Sequence, residues 1–389
     1  MQTPTIRKRH HDPIEIKSLH PENHSVTPLP RERLEGVKAA YTTRAVPLDL
    51  MATLIGGEVT PKAGDLVLAR IDRIGQHTRL ELGTGRKAPL FVGDEVLVCY
   101  GHRYAPDQFE AEVPESLEPC HLVAAGGVAA RVLSRHSKRK QATRITPLGL
   151  VGDRHGRPIN LTDWSLPPLD TDAGAQYGQA FHPFPLVIAS VGTAMNAGKT
   201  TAAAYLIRGL VNAGLRVGAA KLTGTGAGGD RWLMQDAGAC KVLDFTDAGH
   251  VSTHKLPLAE LERITTHLTD HLQAAGVDLI VVEVADGLYQ EETAALLRSP
   301  TFRKRVDGIL FCAGDAMGAA MGVEWLRREN LPVFAVAGSL TASPLACREV
   351  ARAIDLPVLD LARLADERIY SEVEQWLGMQ ILDKVKVMQ

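Results

Sequence analysis

The sequence predicts an α/β protein. Its C-terminal half should be a mostly parallel sheet covered by helices on both faces, and a small β-barrel or sandwich should precede it. Three observations lead to this prediction. Near-continuous apolar runs alternate with helix-like runs after residue 186. Short apolar runs bounded by Gly, Asp and Pro fill residues 47–163. A glycine-rich loop joins the first strand candidate after residue 185 to the first helix candidate that follows it. Apolar strands that alternate with helices are typical of a parallel sheet buried on both faces. Short strands separated by turns are typical of a barrel or sandwich.

Length and composition divide the chain of 389 residues into four segments. We expect a polar N-terminal arm at 1–46, a β-rich domain at 47–163, a proline-rich linker at 164–185 and the α/β domain at 186–389. The chain has 43 Lys and Arg against 45 Asp and Glu, which gives no support for a nucleic-acid or membrane partner. No apolar run approaches the roughly 18 residues of a membrane span, and five dispersed cysteines are typical of a cytoplasmic protein.

In the β-rich domain, Gly-Asp pairs open two apolar strand candidates, at 64–71 and 93–100. The second strand leads into a polar and aromatic cluster around Arg103 and Tyr104. This cluster could contact a substrate, a partner or the core of its own domain, and the sequence leaves these interpretations open.

The α/β domain contains strand candidates at regular intervals, with helix candidates between most of them. The strands are predicted at 186–191, 217–221, 241–244, 278–283, 308–312, 332–336 and 357–359, and the helices at about 199–213, 257–275, 315–328 and 344–354. Ligands of such sheets bind beyond the carboxyl ends of the strands, so the residues after each strand are the site candidates.

The first strand of this domain is followed by a phosphate-binding P-loop candidate, residues 192–201. Gly198 lets the backbone approach a triphosphate, Lys199 supplies a charge to its β and γ phosphates, and Thr200 offers a hydroxyl to Mg²⁺. The usual spacing would place glycine at position 193, but the chain has Thr193 there and glycine one residue earlier. The predicted nucleotide-binding residues are Gly192, Thr193, Asn196, Ala197, Gly198, Lys199, Thr200 and Thr201.

Charged residues at the ends of two later strands complete the predicted site. Lys221 ends one strand ahead of a glycine-rich loop and would meet the γ-phosphate or an anionic substrate, so we expect Lys199 and Lys221 to be catalytic. Glu283 ends an apolar strand, and a carboxylate beside a P-loop can hold Mg²⁺. Asp230 or Asp236 could complete the metal shell with Thr200 and Glu283, although Asp230 is equally suited to cap a helix.

Together these residues resemble the dethiobiotin synthetase group of P-loop enzymes, which includes the cobyrinic acid amide synthetases. The segment Gly192-Thr193 to Gly198-Lys199-Thr200 matches the longer loop of that group, and Lys221 and Glu283 are similar to its later lysine and glutamate. The resemblance covers about residues 186–360. It implies that ATP and Mg²⁺ activate a carboxylate or carbamate as a mixed phosphate anhydride, which nitrogen then attacks. The chain departs from the group at Asp286, where a glycine-rich segment would be expected, and the β-rich domain is absent from dethiobiotin synthetase.

We therefore expect an ATP- and Mg²⁺-dependent ligase or kinase that acts on a small-molecule carboxylate or amine. ATP is favoured because the chain has no Asn-Lys-x-Asp motif for guanine. The alternatives are a regulatory NTPase or chaperone-type switch acting on a protein partner, and a nucleotide sensor without turnover. The sequence leaves a homo-oligomer open.

Overall fold

We describe a computed structural model of the chain at residues 24–169, 185–376 and 378. Residues 24–164, the β unit, contain short strands with few helical turns. The strands are β1 (His24–Pro28), β2 (Lys38–Ala39), β3 (Thr53–Gly57), β4 (Leu66–Arg73), β5 (Arg79–Glu81), β6 (Lys87–Pro89), β7 (Glu95–Tyr100), β8 (Arg103–Tyr104), β9 (Phe109–Glu112), β10 (Cys120–Ala124), β11 (Val128–Arg135) and β12 (Thr143–Gly152), and one α-helix, α1, spans Arg31–Glu35.

Five strands of the β unit pair in a closed ring. Strand β4 pairs with β7 and β12, β11 pairs with β7 and β10, and β10 returns to β12. Successive residues of a strand point to opposite sides of the sheet. Both sides of the ring strands are buried in apolar clusters, one that includes Leu66, Leu68, Leu97 and Val128 and another that includes Val67, Val96, Val98 and Leu122. Strands β9 and β8 continue the sheet beyond β11, and Asp107 in the turn between them contacts the α/β unit.

The described part of the predicted N-terminal arm packs on the β unit. Residues 24–46 are folded onto the β unit, where β1 pairs with β3 and β2 pairs with β7. Leu34 and Tyr41 are buried. Leu29, Ala40 and Val46 are buried as well, and the irregular spacing of these apolar residues matches neither a helix nor a strand period. Residues 1–23 of the predicted arm and 170–184 of the predicted linker lie outside the described residues.

Residues 185–376, the α/β unit, alternate strands with helices as predicted. The strands are β13 (Leu186–Gly192), β14 (Val217–Lys221), β15 (Lys241–Asp244), β16 (Leu279–Glu283), β17 (Gly308–Cys312) and β18 (Val333–Ala337). The helices are α2 (Lys199–Asn212), α3 (Gly229–Asp236), α4 (Leu258–Gln273), α5 (Glu291–Arg298), α6 (Pro300–Arg305), α7 (Ala316–Arg328), α8 (Pro344–Ala353) and α9 (Leu361–Ala365).

The six strands of the α/β unit form a parallel sheet in the order β15-β14-β16-β13-β17-β18. An apolar cluster covers each face of the sheet, one packed under α4 to α7 and the other under α2. The residues predicted as a last strand, 357–359, form an isolated bridge between Val336 and Val358 instead. Because β13 is central, its carboxyl end and those of β14 and β16 meet at the middle of one edge.

Buried polar contacts join the two units. Tyr41 donates a hydrogen bond to the buried carboxylate of Asp244. Arg44 bonds Thr246 and Asp247, each at 2.6 Å. These contacts fix the β unit against the end of β15 and the loop that follows it.

Within the described ranges, no helix is long and apolar enough to cross a membrane.

Candidate nucleotide-binding and active site

The P-loop candidate connects β13 to α2, as the sequence predicts. Gly198 has φ +93°, and a Cβ there would lie 2.9 Å from the backbone nitrogen of Ser339. A Cβ on Gly192 would lie 2.8 Å from Cγ of Lys199. Gly198 precedes α2 without a side-chain cap, so the first N–H groups of this helix are not bonded by a capping side chain. A helix N-terminus of this kind binds phosphate.

Lys199 lies inside the curl of the loop. Its side chain is 6% exposed, and Nζ donates to the carbonyl oxygens of Ala194 at 2.8 Å and Asp286 at 2.7 Å. Burial lowers the pKa of this ammonium, while the charges of Glu283 and Asp286 act in the opposite direction. The lysine is thus held on two carbonyl groups that it can exchange for phosphate oxygens.

Parallel register brings the strand-end charges together. Lys221 pairs with Glu283 across β14 and β16, with 3.6 Å between Nζ and Oε1. Lys221 also contacts the carboxylate of Asp230 in the first turn of α3. Thr200 donates from Oγ1 to Oε1 of Glu283 at 2.9 Å.

These residues fit a divalent cation beside the phosphates. Glu283 is 2% exposed, and its Oε2 has no hydrogen-bond partner among the described residues. A buried carboxylate oxygen without a partner is costly, so the site favours an additional positive ligand. The part of the chain that the structure describes contains no group of three His, Cys, Asp or Glu placed for a metal. Mg²⁺ needs no such cage, because it commonly uses one or two carboxylates together with substrate phosphates and water.

The two predicted aspartates differ in position. Asp230 lies at the start of α3 on the cleft, whereas Asp236 is exposed at the end of the same helix and does not line the cleft. Six residues of helix separate them by about 9 Å. The structure therefore brings Asp230, and not Asp236, to Thr200 and Glu283.

Residues of both units enclose one cavity of about 550 Å³, the central cleft. The α/β unit contributes the P-loop, Lys221, Glu283 and Asp286. Asp286 has φ +63°, and burial raises the pKa of its carboxyl against the opposing charges of Lys199 and Lys221. The β unit contributes His77, Arg103, Tyr104, Ala105, Gln108, Ala124 and Ala125.

The P-loop also contacts the β unit directly. Asn196, at φ +66°, donates from Nδ2 to Oδ2 of Asp107 at 3.0 Å. Asp107 lies in the turn between β8 and β9, and Arg139 pairs with it at 3.2 Å. The side chain of Asn196 thus links the P-loop directly to the β unit.

A second cavity of about 370 Å³ lies on the far side of Gly198. It is bordered by Thr201, the loop at 338–342 and the start of α9 at Asp360–Ala362. The loop at 338–342 follows a strand and is therefore among the candidates that the sequence predicts, whereas Asp360 is not. The sequence also gave no reason to place His77, Gln108 or Ala124 at the site, because they come from three separate parts of the β unit.

The fold and site define a P-loop NTPase. A parallel sheet carries the glycine-rich loop, its lysine and its hydroxyl residue at the N-terminus of a helix, and a carboxylate lies beside them. Nucleotide binding with Mg²⁺ follows from this class.

Comparisons with known proteins agree with that class. Residues 187–294 match the sequence profile of the family MobB, molybdopterin guanine dinucleotide synthesis protein B. No curated protein matches the chain.

Several solved structures are similar to part of the chain. The signal recognition particle receptor FtsY from Elizabethkingia anophelis is 14% identical over 50% of this chain and 65% of its own, with a TM-score of 0.34. The 54 kDa signal recognition particle protein from Aeropyrum pernix in complex with GDP is 19% identical over 52% of this chain and 49% of its own, with a TM-score of 0.35. A nucleotide-binding protein from Archaeoglobus fulgidus in complex with ADP is 14% identical over 47% of this chain and 86% of its own, with a TM-score of 0.31. The match spans less than two thirds of the first two proteins.

Proposed function

We propose that the protein is an ATP- and Mg²⁺-dependent enzyme that activates a small carboxylate or carbamate by phosphoryl transfer in the central cleft. The observation that carries this proposal is the shape of the site. The P-loop, Lys221 and Glu283 form one wall of a cavity whose other wall comes from the β unit. A cleft of this size holds a triphosphate and leaves room for an acceptor, which a site for hydrolysis alone does not require.

The residues of the chain have distinct proposed roles. Lys199 leaves the carbonyl groups of Ala194 and Asp286 and pairs with the β and γ phosphates. Lys221, held beside Glu283, neutralises the charge that develops on the γ-phosphoryl group. Thr200, Glu283 and Asp230 would hold Mg²⁺, which neutralises phosphate charge when bound.

The proposed reaction has two steps. An oxygen of the acceptor carboxylate bonds to the γ-phosphorus, the bond from that phosphorus to the β–γ bridging oxygen breaks, and ADP leaves. The acyl phosphate then reacts at its carbonyl carbon with a nitrogen nucleophile, which loses a proton as inorganic phosphate leaves. Positioning and electrostatics supply most of the catalysis in such transfers.

Two further observations bear on the nucleotide. The cavity behind Gly198 is placed to receive the base. Asp360 lies at the edge of this cavity, where its Oδ1 accepts a hydrogen bond from the backbone N–H of Arg363 and caps α9. The MobB family, which residues 187–294 match, is named for the synthesis of a guanine dinucleotide. GTP is therefore the nucleotide to compare with ATP.

Release of ADP and phosphate from purified protein with Mg-ATP, across a panel of carboxylates and amines, tests the proposal. We expect one class of acid to raise turnover at least tenfold, and the same panel with Mg-GTP to be slower. Slow hydrolysis that no acid changes would overturn the proposal and favour a regulatory NTPase that acts on a protein partner. Nucleotide binding without hydrolysis would overturn it in favour of a sensor.

A further inference from the structure

The wall of the central cleft opposite the P-loop contains a buried cation. Arg103, in β8, is 6% exposed and lines the cleft. Its Nη2 donates to Oε1 of Gln108 at 3.0 Å, and its Nε has no hydrogen-bond partner among the described residues. Within those residues, no carboxylate lies close enough to form an ion pair with it.

Burial of this arginine costs free energy unless a ligand supplies the missing negative charge. A guanidinium stays charged at neutral pH, and burial of a charge without a counter-ion is unfavourable. Burial lowers the pKa of Arg103 to about 10, and the charges of Asp107 and Asp286 limit the shift. The group is therefore protonated at neutral pH, and both aspartates are too distant to pair with it.

The surroundings of Arg103 suit a small organic anion. Burial, with help from the charge of Arg103, lowers the pKa of His77 to about 4, so this neighbour is neutral at pH 7. Ala105, Ala124 and Ala125 line the same wall with small apolar side chains. Arg103 is thus the charged cation among the described residues of this wall. The apolar side chains beside it can contact the rest of a ligand. A guanidinium fork binds a carboxylate through two parallel hydrogen bonds.

We propose that Arg103, oriented by Gln108, binds the carboxylate of the acceptor on the β-unit side of the central cleft. The inference rests on the proposed function and deepens it by naming the residue that selects the acceptor. A wall with a buried guanidinium attracts a carboxylate and repels an ammonium group, so Arg103 is the specificity-determining residue for an acid. The P-loop side is already supplied with cations by Lys199 and Lys221, so the phosphates do not need Arg103.

Calorimetric binding to protein loaded with Mg-ADP tests this assignment without turnover. The probes are succinate, its neutral diamide succinamide, and putrescine, which share a four-carbon chain. Wild-type protein should bind succinate at least tenfold more tightly than either of the others. Arg103→Met should weaken succinate binding at least tenfold. The succinate affinity of Arg103→Lys should lie between those of the wild type and Arg103→Met, because lysine keeps the charge and loses the guanidinium fork.

Arg131→Gln is the matched control, because Arg131 is an exposed arginine on β11 of the same unit and does not line the cleft. It should bind all three probes as the wild type does. An affinity for Mg-ADP equal to that of the wild type shows that the fold of each variant is intact. Equal binding of the three probes, or succinate binding that survives Arg103→Met, would overturn the assignment. A variant that keeps succinate binding but loses affinity for a non-hydrolysable Mg-ATP analogue would place Arg103 on the γ-phosphate instead.

The two proposals fail separately. Succinate binding that depends on Arg103, in a protein whose ATP turnover no acid stimulates, would keep the acid subsite and overturn the proposed function. Turnover stimulated by an acid, and unchanged in Arg103→Met, would keep the proposed function and overturn the subsite.

Discussion

At the scale of single residues, the proposed chemistry is assigned to two lysines and a glutamate at or just beyond the ends of parallel strands. Lys199 follows β13 through the P-loop, Lys221 ends β14 and Glu283 ends β16. The sequence could predict this cluster because apolar strands of one parallel sheet end at one edge. It could not separate Asp230 from Asp236, because only the direction of α3 decides which of them faces the cleft.

We predict that Lys199→Ala abolishes turnover of Mg-ATP and that Lys221→Ala lowers kcat by about 10²-fold, the order expected when stabilisation of transition-state charge is lost. Steady-state phosphate release measures both effects. Lys87→Ala, at an exposed lysine of β6, is the control and should keep the wild-type rate. Full activity in Lys221→Ala would contradict the role given to that residue.

At the scale of elements, the P-loop packs directly against the loop after β18. Gly198 combines a positive φ with close approach to Ser339, so a methyl group there both strains the backbone and pushes the two loops apart. Gly214, after α2, offers a matched comparison, because it has φ +89° and nothing within 4 Å of its added Cβ.

We predict that Gly198→Ala weakens Mg-ADP binding at least tenfold and that Gly214→Ala lowers stability while leaving this affinity unchanged. Both variants strain the backbone, and only the first moves the phosphate-binding loop. Calorimetric titration with Mg-ADP separates the two effects. Equal losses of affinity in the two variants would show that contact with Ser339 is unimportant.

A second contact between elements predicts a pH dependence. Glu292, in the first turn of α5, interacts with Nδ1 of His254 at 3.0 Å and accepts from the backbone N–H of Lys255. Burial would raise the pKa of Glu292, but these hydrogen bonds and the charge of His254 hold it at about 2, below its usual 4.5. Since the folded state prefers the ionised form, its contribution to stability is present above pH 4.5 and is lost as the pH falls towards 2.

Glu292→Gln should therefore reduce the loss of stability between pH 4.5 and pH 2, seen as a smaller drop in the urea midpoint over that window. Glu291→Gln, at the exposed preceding residue, should keep the wild-type slope. An unchanged slope in Glu292→Gln would contradict the assignment.

At the scale of the whole molecule, the β unit and the α/β unit are joined by buried polar contacts across long stretches of sequence. Tyr41 reaches Asp244, 203 residues further along the chain. Such a contact leaves no local pattern, so the sequence predicts a polar arm at residues 24–46 without showing which surface this segment packs against. The strands of the α/β unit were predicted well because each buries a near-continuous apolar run whose period and length are readable locally. Arg103 was singled out from the sequence with its ligand left open, because the wall opposite it is more than ninety residues away in the chain.

We predict that Tyr41→Phe lowers the free energy of unfolding by about 1–3 kcal/mol, the cost of leaving a buried carboxylate without one of its partners. Urea denaturation followed by fluorescence should show one transition at a lower midpoint. Tyr205→Phe, at an exposed tyrosine of α2, should leave the midpoint unchanged. An unaltered midpoint in Tyr41→Phe would show that the contact with Asp244 does not hold the units together.

In the proposed reaction, an acid in the cleft takes the γ-phosphoryl group. The most direct test uses the acid that stimulates turnover, labelled with ¹⁸O in its carboxylate, and mass spectrometry of the phosphate released from Mg-ATP in the presence of the nitrogen nucleophile. Attack of the carboxylate on phosphorus followed by cleavage at the acyl carbon transfers one labelled oxygen to each phosphate. We predict that transfer matches turnover one for one, and stimulated turnover that yields unlabelled phosphate would contradict the claim.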